Sequence, residues 1–147
     1  MSSVGKAVIL PSSAKGLANY PHARLVSAGG TRTLYISGTS SRRADGSTEG
    51  FELGDDGTPY PDPGEQTAAI LRKMEAVIKQ ATNGKGGLRN LVDVTVYLTD
   101  MAYYGGMNRV WNEFWPNPED APARTAVAVQ ALPGLKMVVE MKATAVV

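Results

Sequence analysis

The chain has no cysteine, a single histidine and no apolar run approaching the length of a membrane span. Without cysteine it forms no disulfide, offers no thiolate nucleophile and builds no Cys-type zinc site. With His22 alone it has no histidine pair for a metal and no serine triad of the usual kind. A spanning helix needs about twenty consecutive apolar residues, so no membrane partner is expected. Strong charge of either sign is missing too: fifteen Lys and Arg stand against fourteen Asp and Glu, a formal net charge of +1. The basic residues are scattered and form no stripe of the kind that phosphate-backbone binding relies on, so nucleic acid is not an expected partner. The glycines at 29–30, 84–87 and 105–106 fit neither GxGxxG nor GxxxxGKS/T, and no nucleotide phosphate cradle is indicated. Before Pro11 the apolar run is only Ala7 to Leu10, short of a signal-peptide core. Together with the missing cysteines this reads as a cytoplasmic protein.

What is present describes one globular domain over residues 1–147. The hydrophobic share is 43% and the charged share 20%, and a chain of this length buries roughly two thirds of its unfolded surface without metals or disulfides. Leu25 to Ala28 and Leu34 to Ser37 flank Gly29-Gly30-Thr31-Arg32, the pattern of a β-hairpin. Ser40 to Pro63 is a long polar loop in which only Gly50 to Leu53 has strand character; a loop of this length suggests the border of a site. Asp62 as N-cap, Pro63 at the first helical position and Glu65 beyond it start a helix. Its apolar stripe is Ile70, Leu71, Met74, Val77, Ile78 and Ala81, and it stops before Asn83-Gly84. Val92, Val94, Val96 and Leu98 alternate with polar residues as one face of a strand. Asp100 caps a second helix with Met101, Tyr104, Met107, Trp111 and Phe114 on one stripe, ended by Pro116 and weakened by Gly105-Gly106. Strands at Thr125 to Gln130 and Lys136 to Val146 complete the chain. The order is β-β-α-β-α-β-β, an α+β arrangement. Two helices can cover one face of such a sheet, which leaves the other for a further subunit.

The chemistry then rests on polar residues set in apolar surroundings. Arg124 precedes Thr-Ala-Val-Ala-Val, and Glu140 interrupts Met-Val-Val-Glu-Met. Periodicity leaves two readings open. One is a wet strand face or an Arg–Glu pair across neighbouring strands. The other is an arginine fork that holds a substrate carboxylate beside a glutamate that activates water. His22, after Tyr20-Pro21, and the Arg42-Arg43 pair in the polar loop are each either exposed surface groups or ligand contacts. Trp111, Phe114 and Trp115 at helical spacing belong to the core or to a subunit contact. Asn108 lies on the second helix, within reach of a backbone group.

Several ordered pieces resemble the RidA (YjgF-type, reactive intermediate deaminase) family. They are Ile36-Ser37-Gly38, Glu65-Gln66-Thr67, the run Val92 to Asp100, Met107-Asn108-Arg109-Val110-Trp111 with Phe114, Ala121-Pro122-Ala123-Arg124-Thr125, and Leu132-Pro133 followed by Val139-Glu140-Met141. The resemblance implies a chorismate-mutase-like fold, a mixed sheet with two helices on one face. It also implies a homotrimer, with further association of trimers left open, and sites in the clefts between subunits. It carries the carboxylate-binding arginine onto Arg124 and the water-orienting glutamate onto Glu140. Asn108, Ser37, Gly38 and Tyr20 fall on cleft positions. Where the common Ser-Gly-Gln stands, this chain reads Ser37-Gly38-Thr39, and the family's cysteine after the arginine motif is replaced by Ala126. The run Ser37 to Arg43 together with Tyr20-Pro21-His22 is similar instead to the 2-aminomuconate deaminases of aromatic degradation, a branch of the same superfamily. The implied activity is hydrolysis of an enamine or imine carboxylate without cofactor or metal. Substrate contacts are then expected at Tyr20, His22, Ser37, Gly38, Thr39, Arg42, Arg43 and Asn108. The alternatives are a general 2-iminobutanoate or 2-iminopropionate deaminase and a non-catalytic metabolite-binding module.

Overall fold

Two glycines with positive φ, Gly29 at 58° and Gly30 at 83°, make the tight turn that twisted antiparallel strands require. The turn joins β2 (Ala23–Ala28) to β3 (Thr31–Thr39) in the expected hairpin. The structure, a computed structural model, describes residues 4–13 and 17–147. Ahead of the hairpin, β1 (Lys6–Val8) adds an edge strand antiparallel to β2, which the four-residue apolar run at the N-terminus did not suggest. The polar stretch after β3 folds more than expected: β4 (Phe51–Leu53) and β5 (Pro59–Pro61) pair as a small hairpin, and Arg42 bridges to Thr48.

The first helix, α1 (Pro63–Ala81), begins where its capping residues place it, with the Asp62 carboxylate accepting from the Glu65 amide at 2.9 Å. Next comes β6 (Leu91–Leu98). A register shift between Leu91 and Asp93 corrects the expected face: Leu91 turns inward and Val92 is 46% exposed. Asp100 caps a short 3-10 turn over Met101–Tyr103, its carboxylate accepting from Ala102, and α2 (Tyr104–Phe114) follows it. Met101 and Tyr104 therefore leave the stripe and are exposed, while Met107 and Trp111 are buried. The last strands are β7 (Ala123–Ala128) and β8 (Val139–Val146), the latter starting three residues later than the apolar run at Lys136 suggests.

One six-stranded mixed sheet results, in the order β1-β2-β3-β8-β6-β7, with β6 and β7 parallel. The two-residue period sorts its side chains. Leu34, Ile36, Val94, Val96, Leu98, Val139, Met141 and Ala143 point inward and pack with Ile70, Leu71, Met74, Ile78, Met107 and Trp111 from the helices. Tyr35, Thr144, Lys142, Thr95, Tyr97 and Glu140 occupy the outer face, as the pairs Tyr35 with Thr144, Thr95 with Lys142 and Tyr97 with Glu140 require. Neither helix covers that face, and Tyr35 is 51% exposed on it. Threonines alternate there with tyrosines and Lys142. No helix among the described residues is long and apolar enough to cross a membrane.

Candidate functional site

The site begins with a defect in β3. Ile36 pairs with Ala143, but the next partners are Thr39 and Met141, so β3 carries an extra residue around Ser37-Gly38. The preceding loop fastens this bulge: the Ser37 amide donates to the His22 carbonyl at 2.9 Å, and the Ser37 hydroxyl to the Pro21 carbonyl at 2.8 Å. Thr39 donates its hydroxyl back to the Ser37 carbonyl at 2.9 Å. The carboxylate of Glu140 lies directly over Gly38, where a β-carbon would sit 2.5 Å from Oε1. A side chain at this position would displace the Glu140 carboxylate, while the dihedral angles of Gly38 demand no glycine.

Around that carboxylate opens a cleft of about 420 Å³. Tyr20, His22, Ser37, Gly38, Thr39 and Arg42 all line it together with Glu140. The long polar loop contributes Ser40 and Arg42 to the wall of this cleft. Burial pushes the Glu140 carboxyl above the ordinary glutamate range, and no donor among the described residues reaches it. A half-buried carboxylate that no hydrogen-bond donor holds is costly in a purely structural role and is suited to taking a proton. The Leu10 amide donates to His22 Nδ1 at 3.2 Å, which orients the ring at the cleft.

Sequence reading missed Lys73. From α1 it lines the same cleft and donates to the carbonyls of Ser40, at 2.7 Å, and Arg42. Burial, with the Arg42 charge adding to it, lowers its pKa to about 8. A signal existed: Lys73 stands three residues after Ile70 and four before Val77, so it interrupts the apolar stripe of its helix. Lys142, two residues beyond Glu140 on the same face, and Met137 also line the cleft.

Three expected site residues lie elsewhere. Arg124 pairs with Val94, whose side chain is in the core, so it projects from the helix-covered face of the sheet while Glu140 projects from the other. Strand β6 also stands between β7 and β8, which rules out an Arg–Glu pair across neighbouring strands. Arg124 instead lies over the Trp111 ring at 4.7 Å and donates to the Tyr104 hydroxyl at 3.2 Å. Such stacking leaves a guanidinium oriented and charged. Arg43 points away from the cleft, towards Ser47 and Glu49, the latter at 3.6 Å. Asn108 lies on α2 beside Met107 and does not line the cleft; its buried Oδ1 has no hydrogen-bond partner among the described residues. No group of three or more metal-ligating His, Cys, Asp or Glu side chains occurs among the described residues.

A family model described as Endoribonuclease L-PSP matches residues 15–147. The RutC family protein of Drosophila melanogaster is 30% identical over 130 residues, which cover 88% of this chain and 81% of that protein. The RutC family protein of Pyrococcus abyssi is 37% identical over 81 residues, covering 55% of this chain and 59% of its own length. The mitochondrial protein mmf1 of Schizosaccharomyces pombe is 33% identical over 81 residues, covering 52% and 47%. The match thus spans about half the length of these last two relatives. Among solved structures, RidA from an Antarctic Psychrobacter superposes with a TM-score of 0.73 at 24% identity, covering 97% of this chain and 99% of that one. Yeast Mmf1 superposes at 0.73 with 23% identity. Both share the fold.

Proposed function

The chain belongs to the Endoribonuclease L-PSP family, the family of the RutC and RidA proteins, and we propose that it is a cofactor-free deaminase of an enamine or imine carboxylate, with 2-aminomuconate as its substrate. The observation that carries this reading is the Glu140 carboxylate, held over Gly38 in a cleft, shifted towards protonation and unpaired among the described residues.

The chemistry needs little more. An enamine conjugated to a carboxylate tautomerises to the imine. Water adds to the carbon bearing nitrogen, and the carbinolamine expels ammonia to leave a carbonyl, the keto tautomer of 2-hydroxymuconate. Glu140 takes the proton from the attacking water and returns it to the departing nitrogen, a contribution of roughly a hundred- to ten-thousand-fold for a positioned acid or base. Arg124 holds the carboxylate next to the reacting carbon and stabilises developing charge. Because Arg124 and Glu140 project from opposite faces of one sheet, the two act together only across two copies of the chain. That requirement supports the trimer, with Arg124 of one copy at the cleft of the next.

The choice of 2-aminomuconate rests on its second carboxylate and on the cations of the cleft, of which Arg42 belongs to the sequence run that suggested it. Ribonuclease chemistry, which the family description names, finds less support in a chain with one histidine and a formal net charge of +1. Purified protein mixed with freshly generated 2-aminomuconate should accelerate its loss of absorbance and release ammonia stoichiometrically, and Glu140→Gln should lose at least a hundredfold in kcat. A preference for 2-iminobutanoate would move the substrate to the general imino acids. Unchanged decay of both substrates, with binding retained, would leave a metabolite-binding module.

A further inference from the structure

The end of the cleft occupied by Lys73 has no role in the chemistry just described. Its ammonium is held by two main-chain carbonyls, those of Ser40 and Arg42, so the side chain is fixed to the segment that carries the Arg42 guanidinium. An ammonium has three N–H donors, and the two carbonyls leave one for a ligand. Among the described residues, Lys73, Arg42 and Lys142 line the cleft against the single carboxylate of Glu140. Other charged groups near Lys73 are Glu49, which favours its charged form, and Arg43, which opposes it. Glu49 is already engaged by Arg72 and Arg43. The cleft therefore carries an excess of positive charge in a partly buried place, and a bound anion would relieve it.

Position gives the spacing. Glu140 lies over Gly38 and Lys73 is fixed to the carbonyl of Ser40, two residues along an extended chain or roughly 7 Å. A ligand whose reacting carbon is at Glu140 thus reaches Lys73 with an anionic group a few carbons away.

We propose that Lys73, clamped by the carbonyls of Ser40 and Arg42, forms with Arg42 an anion subsite at the far end of the cleft, which takes the second carboxylate of a dicarboxylate ligand. The assignment deepens the deaminase reading, and the test is a binding measurement that needs no turnover. Two stable six-carbon dienes serve as probes: trans,trans-muconate with two carboxylates and sorbate with one. Titration calorimetry on the intact protein at pH 7 should show at least tenfold tighter binding of muconate. Lys73→Met should bring that ratio close to one, with sorbate affinity little changed, and Lys73→Arg should preserve it.

The pH dependence provides a second arm that does not rely on the methionine variant folding. Lys73 loses its proton near pH 8, so the muconate preference of the unmodified protein should fall severalfold between pH 7 and 9. In Lys73→Arg it should stay level, which separates Lys73 from His22, Tyr20 and Glu140 in the same cleft. Equal affinity for the two probes in the unmodified protein, or a ratio untouched by Lys73→Met, overturns the subsite. Failure to deaminate 2-aminomuconate while the Lys73-dependent muconate preference persists overturns the reaction and leaves the subsite standing.

Discussion

Gly38 and Glu140 show how a single contact divides function from stability. A β-carbon at Gly38 would lie 2.5 Å from Glu140 Oε1, so Gly38→Ala must push the carboxylate aside. The expected result is a fall in kcat/KM comparable to that of Glu140→Gln, with a small change in melting temperature because the glutamate can swing towards the open cleft. Glu140→Gln should behave differently in a denaturation experiment. Burial raises the folded-state pKa of Glu140, so folding favours the protonated form. Its favourable contribution is complete below the unfolded-state pKa and disappears as pH rises through the folded-state value. Above that folded-state value the ionised carboxylate is therefore a cost to the folded state, and there the glutamine variant should melt at the same temperature or higher while losing turnover. A clear destabilisation under those conditions would show that Glu140 has structural partners. At this scale Glu140 was legible as a charge inside an apolar run, whereas the separation of Arg42 from Arg43 was not. Arg42, bridged to Thr48, lines the cleft, while Arg43 beside it turns to Ser47 and Glu49.

At the scale of elements, the cleft wall depends on one buried amide. Gln66 of α1 is fully buried; its Nε2 donates to the carbonyls of Gly50 at 3.1 Å and Lys136 at 2.9 Å. Its Oε1 accepts from the amides of Val138 at 2.9 Å and Val139 at 3.2 Å. One side chain thus joins the polar loop, the first helix and the start of β8, next to Glu140. Gln66→Leu would strand these backbone groups, each costing about 1–3 kcal/mol when buried without a partner. A loss of at least about 3 kcal/mol is expected, roughly 6–12 °C in melting temperature for a domain of this size. Calorimetry showing less than a degree of change would contradict it. Helix α1 could be read from sequence because capping, proline and periodicity agree over nineteen residues. Strand β4 falls within the stretch Gly50 to Leu53 that had strand character, whereas β1 and β5, of three residues each, carry too few positions for any period to register, and tertiary pairing alone defines them. The bulges in β3 and β6 are invisible for a related reason: alternation cannot reveal where a residue is inserted.

For the whole molecule, sheet order separates the two residues that sequence reading had paired. Both Arg124 and Glu140 sit in apolar strands, and nothing in the local pattern states that one strand of the sheet lies between them or that they face opposite ways. For the proposed reaction, the Glu140 carboxylate and the guanidinium stacked on Trp111 would each be incomplete alone, and a closed ring of copies would join them. Light scattering should accordingly find a trimer and no stable monomer. The most direct test is complementation. Arg124→Ala and Glu140→Gln homo-oligomers should each be inactive on 2-aminomuconate. When the two are co-refolded at equal ratio, ammonia release should return to a sizeable fraction of the unmodified rate, because some interfaces then combine the intact Arg124 of one copy with the intact Glu140 of another. Mixed oligomers that form but stay as inactive as their parents would contradict a shared site.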